Sequence, residues 1–289
     1  SKKTQDELFA YLEQNQGCIE YIDAEEANGC YIATTPANII PQHTHCEIHP
    51  SFLLGIMALM IPFMEHNQFP RNLFSTGQSK QSIGTYTSNY RNRLDQAAHI
   101  LYYPQRPLVS TKYMGYICQD KAMYGVNAIV AVGSYSGYNQ EDSIIINRDA
   151  LHRGLFQTAY FRTYSQQEIP ASNYQESTFF AHPVEQQAQG TKPGIDYSKL
   201  DRTGMIRENE YVYDRDIIMG MCYQTSSDSG PVTMDCSITP KKGTHGRVER
   251  VFLDLDANGY QMGKVTICEE RIPTVGDKFS SRSAQKGTI

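Results

Sequence analysis

The pattern of hydrophobic and polar positions predicts three helices in the first third of the chain. Thr4 and Glu7 form a capping box ahead of apolar residues at helical spacing, and a glycine ten residues later is placed to end this first helix. Residues 51 to 61 are apolar on nearly all sides and stop at a proline, which predicts a helix buried by neighbours on every face. A proline just ahead of residues 71 to 84 suits a first helical turn and predicts the third helix there.

Strand patterns alternate with these helices. Residues 19 to 21 and 31 to 33, joined through an Asn-Gly turn, predict a β-hairpin. Residues 127 to 132 are a β-branched run, and a polar loop separates them from a second run at residues 144 to 146, so strand, loop and strand are expected. Residues 156 to 165 predict a further strand.

The amino-acid composition changes after this strand. Stretches such as residues 224 to 234 are polar and rich in Gly, Pro and Ser, which predicts connections with short strands between them. We therefore place one boundary near residue 157 and another near residue 272.

The last stretch, residues 273 to 289, has neither a helical nor a strand period and predicts a shaped loop. Within nine residues it carries Lys278, Arg282 and Lys286, four apart, with glycines on either side. Cations on a backbone that glycine lets approach closely suit a phosphate-rich ligand. By composition alone, a solvated basic turn is an equal alternative.

Composition describes an ordinary globular chain of 289 residues, with 40% hydrophobic and 20% charged residues. The longest apolar run, residues 52 to 61, is about half the roughly 18 to 20 residues that a membrane span needs, so no membrane association is expected. The first residues lack the charged and apolar pattern of a secretory leader, so secretion is not expected. Seven cysteines without a CxxC pair predict reduced thiols in an intracellular compartment.

Charge is distributed unevenly along the chain. The formal net charge is −5, and the eight acids and two lysines of residues 1 to 55 account for −6, so that the remainder is +1. This net charge excludes a protein that binds polyanions in general. The basic stretches at residues 71 to 112 and 241 to 286 are nevertheless compatible with a channel that binds nucleic acid.

Two clusters carry metal-binding chemistry. His43, His45 and His49 surround a cysteine, which by spacing alone allows a soft-metal site, but no distant ligand pair accompanies them and structural histidines are favoured. Glu141 and Asp142 are expected where the second predicted strand begins, and adjacent carboxylates on an extended chain point to opposite faces. One of the two can then contact a hydrated Mg²⁺, although a surface turn is the ordinary role of such a dipeptide.

Four blocks, in family order, resemble the second-largest subunit of multisubunit DNA-directed RNA polymerases. They are GDKFSSRSAQKGT near the end of the chain, GYNQEDSIIIN at residues 137 to 147, the long block at residues 47 to 84 and EYIDAEEA at residues 20 to 27. Because the four blocks cover most of the chain, the resemblance is highly specific.

The resemblance implies a mixed α/β (α+β) fold in several parts. Residues 1 to 55 would end an external domain, and residues 56 to 157 and 273 to 289 would be the two portions of a hybrid-binding region that builds part of a double-psi β-barrel. Residues 158 to 272 would form a β-rich wall, the flap of the bacterial enzyme.

The resemblance also implies roles for individual residues. Arg71 would approach the phosphates of the incoming nucleotide, and Lys80 and Gln81 the RNA near its 3′ end, although Ser79 stands where the family commonly has glycine. Lys278, Lys286 and Arg282 would supply cations to the triphosphate and the hybrid backbone. Glu141 and Asp142 would help to hold a second Mg²⁺ that is shared with the largest subunit, and no zinc is expected in this stretch.

The implied activity is template-directed nucleotidyl transfer by two metal ions, with this chain alone inactive. Implied partners are the largest and other polymerase subunits, the DNA template, the RNA–DNA hybrid and nucleoside triphosphates. The expected location is the site of transcription, in the nucleus or, for a large DNA virus, in the virus factory or virion. Alternatives are a noncatalytic nucleic-acid-binding module and a zinc-dependent hydrolase built on the three histidines.

Overall fold

The computed structural model describes residues 5 to 14, 18 to 117, 121 to 170, 177 to 227 and 230 to 289. Over these residues the chain is mixed α/β, with most of its regular structure in strands and only short helices. This confirms the predicted fold class at its coarse level. The barrel, the wall and the domain boundaries stay predictions.

The helices occupy mainly the first half of the chain. In chain order they are α1 (Gln5–Gln14), α2 (Ala24–Gly29), α3 (Ile56–Leu59), α4 (Phe69–Ser79) and α5 (Arg148–His152). Short 3-10 helices lie at Pro36–Asn38, Pro50–Leu53, Met64–His66 and Tyr90–Asn92. The first and third predicted helices are confirmed as α1 and α4, although Thr4 lies outside the described residues and α4 ends at Ser79 rather than at Gly84. A proline lies in the first turn of α4, as predicted.

The strands are concentrated in the second half of the chain. In chain order they are β1 (Ile32–Ala33), β2 (His45–Cys46), β3 (Ala97–Leu101), β4 (Thr158–Gln167), β5 (Ser177–Phe180), β6 (Tyr211–Tyr213), β7 (Met221–Ser227), β8 (Gly230–Asp235), β9 (His245–Leu255), β10 (Gln261–Arg271), β11 (Lys278–Ser280) and β12 (Lys286–Thr288). The strand predicted at residues 156 to 165 is confirmed as β4.

The central element is a five-stranded antiparallel sheet in the order β3-β4-β10-β9-β6. β10 lies in the middle and pairs with β4 from Arg271 opposite Thr158 to Met262 opposite Gln167. Because β3 precedes the boundary predicted near residue 157 and pairs with β4, the sheet joins the two parts of the chain on either side of it.

The main hydrophobic core lies on one face of this sheet. Side chains alternate between the faces of a strand, so Val265 and Ile267 of β10 share a face, and both are fully buried. Val248 of β9 and residues 217 to 219 complete the centre of this core. A smaller cluster of Ile100, Ala159 and Phe161 occupies the opposite face.

A three-stranded antiparallel sheet, β5-β7-β8, lies beside this core. Its β7–β8 hairpin covers most of residues 224 to 234, so the prediction of a polar connection there is wrong. Thr225 pairs with Val232, and β-branched residues of this kind favour a strand despite the polar composition around them. Residues 228 and 229 of the predicted connection lie outside the described residues.

The hairpin predicted between residues 19 and 33 is wrong. Residues 24 to 29 form α2 instead, and the carboxylate of Asp23 caps it by accepting a hydrogen bond from the Glu26 amide at 2.7 Å. Acidic residues in the first turn further favour a helix start. Gly29 ends this helix rather than making a turn between strands, and β1 pairs in parallel with β2.

The buried helix predicted at residues 51 to 61 is also wrong. Gly55 has an extended backbone, with ψ of 164°, and divides the run into a 3-10 helix and the four-residue α3. Phe52 and Ile56 are 55% and 62% exposed, and only Met60 and Ile61 at the end of the run are buried. The apolar composition therefore marks a partly exposed surface in this chain rather than a helix enclosed on all sides.

The strand, loop and strand predicted around residues 127 to 146 are wrong as well. Within the described ranges, neither residues 127 to 132 nor residues 144 to 146 form a named strand. Ile129 and Val132 are fully exposed, at 103% and 99%. The polar loop between the two runs does lead into a contact with the end of the chain, which is part of the site below.

Candidate functional site

The terminal stretch forms a short antiparallel hairpin, not the shaped loop that its pattern predicts. β11 and β12 pair with Lys278 opposite Thr288 and Ser280 opposite Lys286. Residues that are paired, or two positions apart, share a face of a hairpin, so the two lysines lie on one face as diagonal neighbours, with Cβ atoms less than about 8 Å apart. Both lysines are exposed. The hairpin thus presents two cations together.

The opposite face of the hairpin packs onto the protein. Phe279 lies against Phe156, with ring centroids 4.7 Å apart. Gly287 is buried, and a Cβ atom added to it would lie 2.9 Å from the Asp142 carbonyl oxygen and 2.9 Å from Ile144 Cγ2. Only glycine allows this approach without a shift of the neighbouring main chain.

Main-chain hydrogen bonds fix the contact between the hairpin and residues 142 to 144. The Thr288 amide donates to the Asp142 carbonyl at 2.9 Å, and the Ile144 amide donates to the Thr288 carbonyl at 2.9 Å. Ser143 and Thr288 form a parallel bridge. The acidic pair Glu141 and Asp142 is therefore attached to the strand that carries Lys286.

The loop that presents Glu141 and Asp142 is braced by its own side chains. Asn139 accepts a hydrogen bond from the Tyr135 amide at 3.0 Å and donates to the Gly133 carbonyl at 2.6 Å. The Ser143 amide closes a turn onto the Gln140 carbonyl at 3.1 Å. Glu141 has a left-handed backbone, with φ of 55°, which is uncommon outside glycine and is maintained by this surrounding network.

The loop between the two hairpin strands, residues 281 to 285, docks onto α4. The Ser75 hydroxyl donates to the Arg282 carbonyl at 2.7 Å, and an Arg71 Nη donates to the Ala284 carbonyl at 3.3 Å. Ser75 is 3% exposed and Ala284 is 1% exposed, so the contact is closed to solvent. Arg71 is itself exposed and keeps guanidinium N–H groups beyond this one bond.

The Arg282 side chain points into the protein. Its guanidinium donates to the Met60 carbonyl at 2.9 Å and to the Val109 carbonyl, and one Nη lies 3.3 Å from Met114 Sδ. Burial lowers the pKa of this group. Its predicted binding to nucleic acid stays a prediction, and the contacts described here are with the protein's own main chain.

These contacts bring five of the predicted site residues to one region. Lys278 and Lys286 share the hairpin face, Glu141 and Asp142 border β12, and Arg71 reaches the loop from α4. Lys80 and Gln81 follow the C-terminal end of α4, about 13 Å along the helix axis from Arg71. The structure places both of them in exposed positions, without contacts to the hairpin among the described hydrogen bonds.

The histidine cluster is occupied by other partners. His45 Nε2 lies 2.8 Å from the Glu20 carboxylate, and the His43 ring stacks on Tyr31 with centroids 4.3 Å apart. His49 Nδ1 accepts from the Ser51 amide at 3.1 Å and caps a 3-10 helix. These contacts give each histidine a structural role.

The donor set for a metal ion at the hairpin is partial. Glu141 and Asp142 supply the hard carboxylate oxygens that Mg²⁺ prefers, and both are exposed. Over the described part of the chain, no group of three or more His, Cys, Asp or Glu residues is arranged to hold a metal ion. The acidic pair fits Mg²⁺ in kind, but its number of oxygens requires ligands from elsewhere.

Sequence reasoning missed one contributor to this site, Ser75, and expected a different role for another, Gly287. Ser75 lies in the middle of a helix, where its type is ordinary, and its importance comes from the Arg282 carbonyl that it binds across 207 positions of sequence. Gly287 lies beside Lys286, but only the approach of residues 142 to 144 explains why it is glycine. Both depend on contacts between distant parts of the chain.

Comparison with known proteins gives consistent relatives. A family model described as RNA polymerase Rpb2, domain 6, matches residues 57 to 289. The chain is 40% identical over 281 residues to DNA-directed RNA polymerase subunit Rpo2 of Sulfolobus acidocaldarius, an alignment that covers 95% of this chain and 25% of that relative. It is 39% identical over 291 residues to DNA-directed RNA polymerase II subunit 2 of Arabidopsis thaliana, with 95% and 24% coverage. RNA polymerase II subunit RPB2 of Schizosaccharomyces pombe is 38% identical over 314 residues, with 95% and 26% coverage.

The chain spans about a quarter of the length of these curated relatives. Among the described residues, none of the helices has both the length and the apolar character that a membrane crossing requires.

Proposed function

Because the chain belongs to the family of second-largest subunits of DNA-directed RNA polymerases, we propose that it forms part of the active centre for template-directed RNA synthesis. The observation that carries this proposal is the hairpin face of Lys278 and Lys286, held beside Glu141, Asp142 and Arg71. Nucleotidyl transfer needs cations where phosphate charge develops, and the hairpin presents two of them without a paired carboxylate in the described contacts.

In this proposal each side chain has a positioning or electrostatic role. Lys278 and Lys286 neutralise oxyanions of the RNA 3′ end or of the nucleoside triphosphate, and the free N–H groups of Arg71 bind nucleotide phosphates. Lys80 and Gln81 contact RNA near its 3′ end, as the family resemblance implies. Within the described residues these groups are cations and hydrogen-bond donors, and none of them has to act as a general base.

Glu141 and Asp142 would hold a second Mg²⁺ together with ligands from the nucleotide and from the largest subunit. When bound, such an ion offsets charge on the phosphates. The turn that presents the two carboxylates is hydrogen-bonded to β12 through the Thr288 amide, which holds the acidic pair beside the strand that carries Lys286. Two carboxylates with an incomplete ligand set are typical of Mg²⁺ that arrives with a nucleotide.

The proposed roles of the remaining parts of the chain are those that membership of the family implies. Residues 56 to 157 with residues 273 to 289 would build part of a double-psi β-barrel, and residues 158 to 272 would be the wall behind the RNA–DNA hybrid. The largest subunit, the other polymerase subunits, the DNA template and the hybrid would be the partners. The chain would act at the site of transcription, in the nucleus or in a virus factory.

The test is made in the assembled polymerase with Lys278→Ala and Lys286→Ala. Each substitution removes one cation from an exposed hairpin face without leaving a buried gap, so assembly should be unaffected. We expect single-turnover extension of a primed RNA–DNA scaffold to slow by about 100- to 1,000-fold for each variant, the range for one lost donor to a developing oxyanion. Replacement by Arg should be milder, because the charge survives while the geometry changes.

Lys192→Ala is the matched control, since Lys192 is an exposed lysine in an irregular segment outside both basic stretches. It should leave the extension rate unchanged. Normal extension by both hairpin variants would remove the main claim. Loss of scaffold binding with a normal single-turnover rate at saturating enzyme would point instead to a noncatalytic nucleic-acid-binding module.

A further inference from the structure

We infer that Arg282 is a positioning residue for Lys278 and Lys286, and that it acts by anchoring the hairpin loop to the protein rather than by contacting nucleic acid. The inference rests on the proposed function of the two lysines. It assigns a different task to Arg282, which the sequence grouped with them as a ligand-binding cation.

The Arg282 side chain is directed into the protein, where its donors are already bound. The guanidinium reaches the carbonyls of Met60 and Val109 and the sulfur of Met114, three groups from two separate segments of the chain. An arginine fork can bind two carbonyls at once, and this one is partly buried while doing so. A group committed in this way has little capacity left for a phosphate.

Arg282 lies in the connecting loop of the hairpin, four residues from Lys278 and four from Lys286. The loop is closed on itself by the Ser281 amide, which donates to the Gln285 carbonyl at 2.8 Å. A displacement of Arg282 therefore moves both strands, and with them both lysines.

The hairpin is held at its two ends by different contacts. At the strand end, Gly287 and Thr288 lie against residues 142 to 144. At the loop end, the contacts are the Arg282 side chain, the Arg282 carbonyl, which accepts from Ser75, and the Ala284 carbonyl, which accepts from Arg71. Loss of the Arg282 contacts leaves the loop end held only weakly, so the hairpin can tilt about its strand end, and the lysine face moves with it.

The segment that receives Arg282 also needs this link. Residues 104 to 110 contain no helix or strand. They are held by Asn127, which accepts from the Leu108 amide at 3.2 Å and donates to the Arg106 carbonyl at 2.8 Å. The bond from Arg282 to Val109 ties this irregular segment to the hairpin.

The experiment is a double-mutant cycle in the assembled polymerase. Arg282→Ala should slow scaffold extension by about 10- to 100-fold, because a misplacement of about 1 Å in a positioning group has that effect. In a Lys278→Ala/Lys286→Ala background, the same substitution should change the rate by less than about 2-fold, because the groups it positions are gone. Arg282→Lys should resemble Arg282→Ala, since one ammonium does not reproduce the two-carbonyl fork.

Ser75→Ala tests the loop anchor if Arg282→Ala fails to assemble. It removes the hydroxyl that binds the Arg282 carbonyl, and extension should slow several-fold in the wild-type background and not in the lysine-free one. Thr76→Ala is its matched control, because the Thr76 hydroxyl binds a carbonyl within α4 at 2.7 Å and does not touch the loop. Arg207→Ala controls for the loss of an arginine that contacts main chain, because Arg207 donates to the Ser198 carbonyl at 3.2 Å and lies outside both basic stretches, and its activity should be normal.

The outcomes separate the two proposals. An equal rate loss from Arg282→Ala or Ser75→Ala with and without the lysines would show that this region acts independently of them, which overturns the positioning role. Normal rates for both variants in the wild-type background would overturn it as well. Normal rates for the two lysine variants alone would instead overturn the proposed function of the hairpin face.

Discussion

At the scale of single residues, Tyr197 shows how burial changes the chemistry of a hydroxyl group. It is 8% exposed, its hydroxyl donates to the Asp235 carboxylate at 2.5 Å, and it accepts from the Lys192 amide at 3.2 Å. Burial, followed by the hydrogen bond to Asp235, raises the pKa of Tyr197 from 10.0 to about 12. The folded protein therefore holds this proton more tightly than the unfolded chain does.

This shift predicts the direction of a pH effect on stability. A raised folded-state pKa means that the stabilising contribution is complete below pH 10 and is lost as the pH rises from 10 to about 12. Tyr197→Phe should lower the free energy of unfolding by about 1 kcal/mol at pH 8, because a buried hydrogen bond is lost. Its stability should then fall less steeply than that of the wild type above pH 10. Urea unfolding between pH 8 and pH 11.5 measures both effects.

The difference between the two proteins is the quantity to compare, since other groups titrate nearby. Burial also raises the pKa of Cys222 to about 11, which adds a decline of the same sign in both proteins. Tyr21→Phe is the control, because Tyr21 is 91% exposed. Parallel pH profiles for Tyr197→Phe and the wild type would contradict the assignment.

At the scale of elements, β9 depends on one close contact with its neighbour. A Cβ atom added to Gly246 would lie 2.4 Å from the carbonyl oxygen of Cys268 on β10 and 3.1 Å from Ile267 Cγ2. The obstructing atom is main chain in the middle strand of the sheet, so it has little freedom to move. The glycine sets how closely β9 and β10 approach beside the main core.

Gly246→Ala should therefore destabilise the protein by about 1 to 3 kcal/mol, the usual range for overpacking. Thermal unfolding of the chain gives the measurement. Gly133→Ala is the control, since an added Cβ at Gly133 meets no atom within 4 Å. Equal melting temperatures for the two variants would show that β9 and β10 separate at no cost.

The elements that the sequence predicted correctly are those with local signals. Helix α4 has a proline in its first turn, and β4 alternates buried and partly exposed residues over most of its length. The hairpin predicted before residue 33 failed because the Asp23 cap outweighs an Asn-Gly turn signal. The strand predicted at residues 127 to 132 did not form, because a run of β-branched residues does not by itself supply a partner strand.

The candidate site likewise combines features that local sequence signals predict with features that depend on distant contacts. The residue types of the terminal stretch indicated phosphate chemistry, and the family resemblance selected Lys278 and Lys286. Their common face follows from the register of a hairpin that has no hydrophobic alternation, and so the pattern carried no trace of it. The inward direction of Arg282 depends on carbonyls at positions 60 and 109, which no local rule connects to it.

At the scale of the whole molecule, the proposed function gives the acidic pair and the two lysines only part of a catalytic centre. The isolated chain should therefore give no extension of a primed scaffold, because two-metal phosphoryl transfer needs both ions in place and half a site gives no rate. Adding the largest subunit and the rest of this subunit should restore extension. In that assembly, replacing Glu141 and Asp142 together by Ala should slow extension mainly at limiting nucleotide.

Repurification of the chain controls for a contaminating polymerase. The hypothesis that the catalytic centre is shared with the largest subunit is wrong if the isolated chain extends the scaffold after repurification and loses that activity on Asp142→Ala. Equal slowing of the double variant at limiting and saturating nucleotide would contradict an ion that enters with the substrate.

The pairing of β4 with β10 has a consequence for how this protein tolerates change. Thr158, where β4 begins, lies directly opposite Arg271, where β10 ends, so the long stretch between them leaves and returns at one point. Insertions or deletions within that stretch lengthen or shorten an excursion whose two ends are fastened together. The acidic turn before it and the lysine hairpin after it therefore remain neighbours whatever the excursion contains. The fold is modular at this point, so residues 159 to 270 can change in length while the spacing of the charged groups is kept.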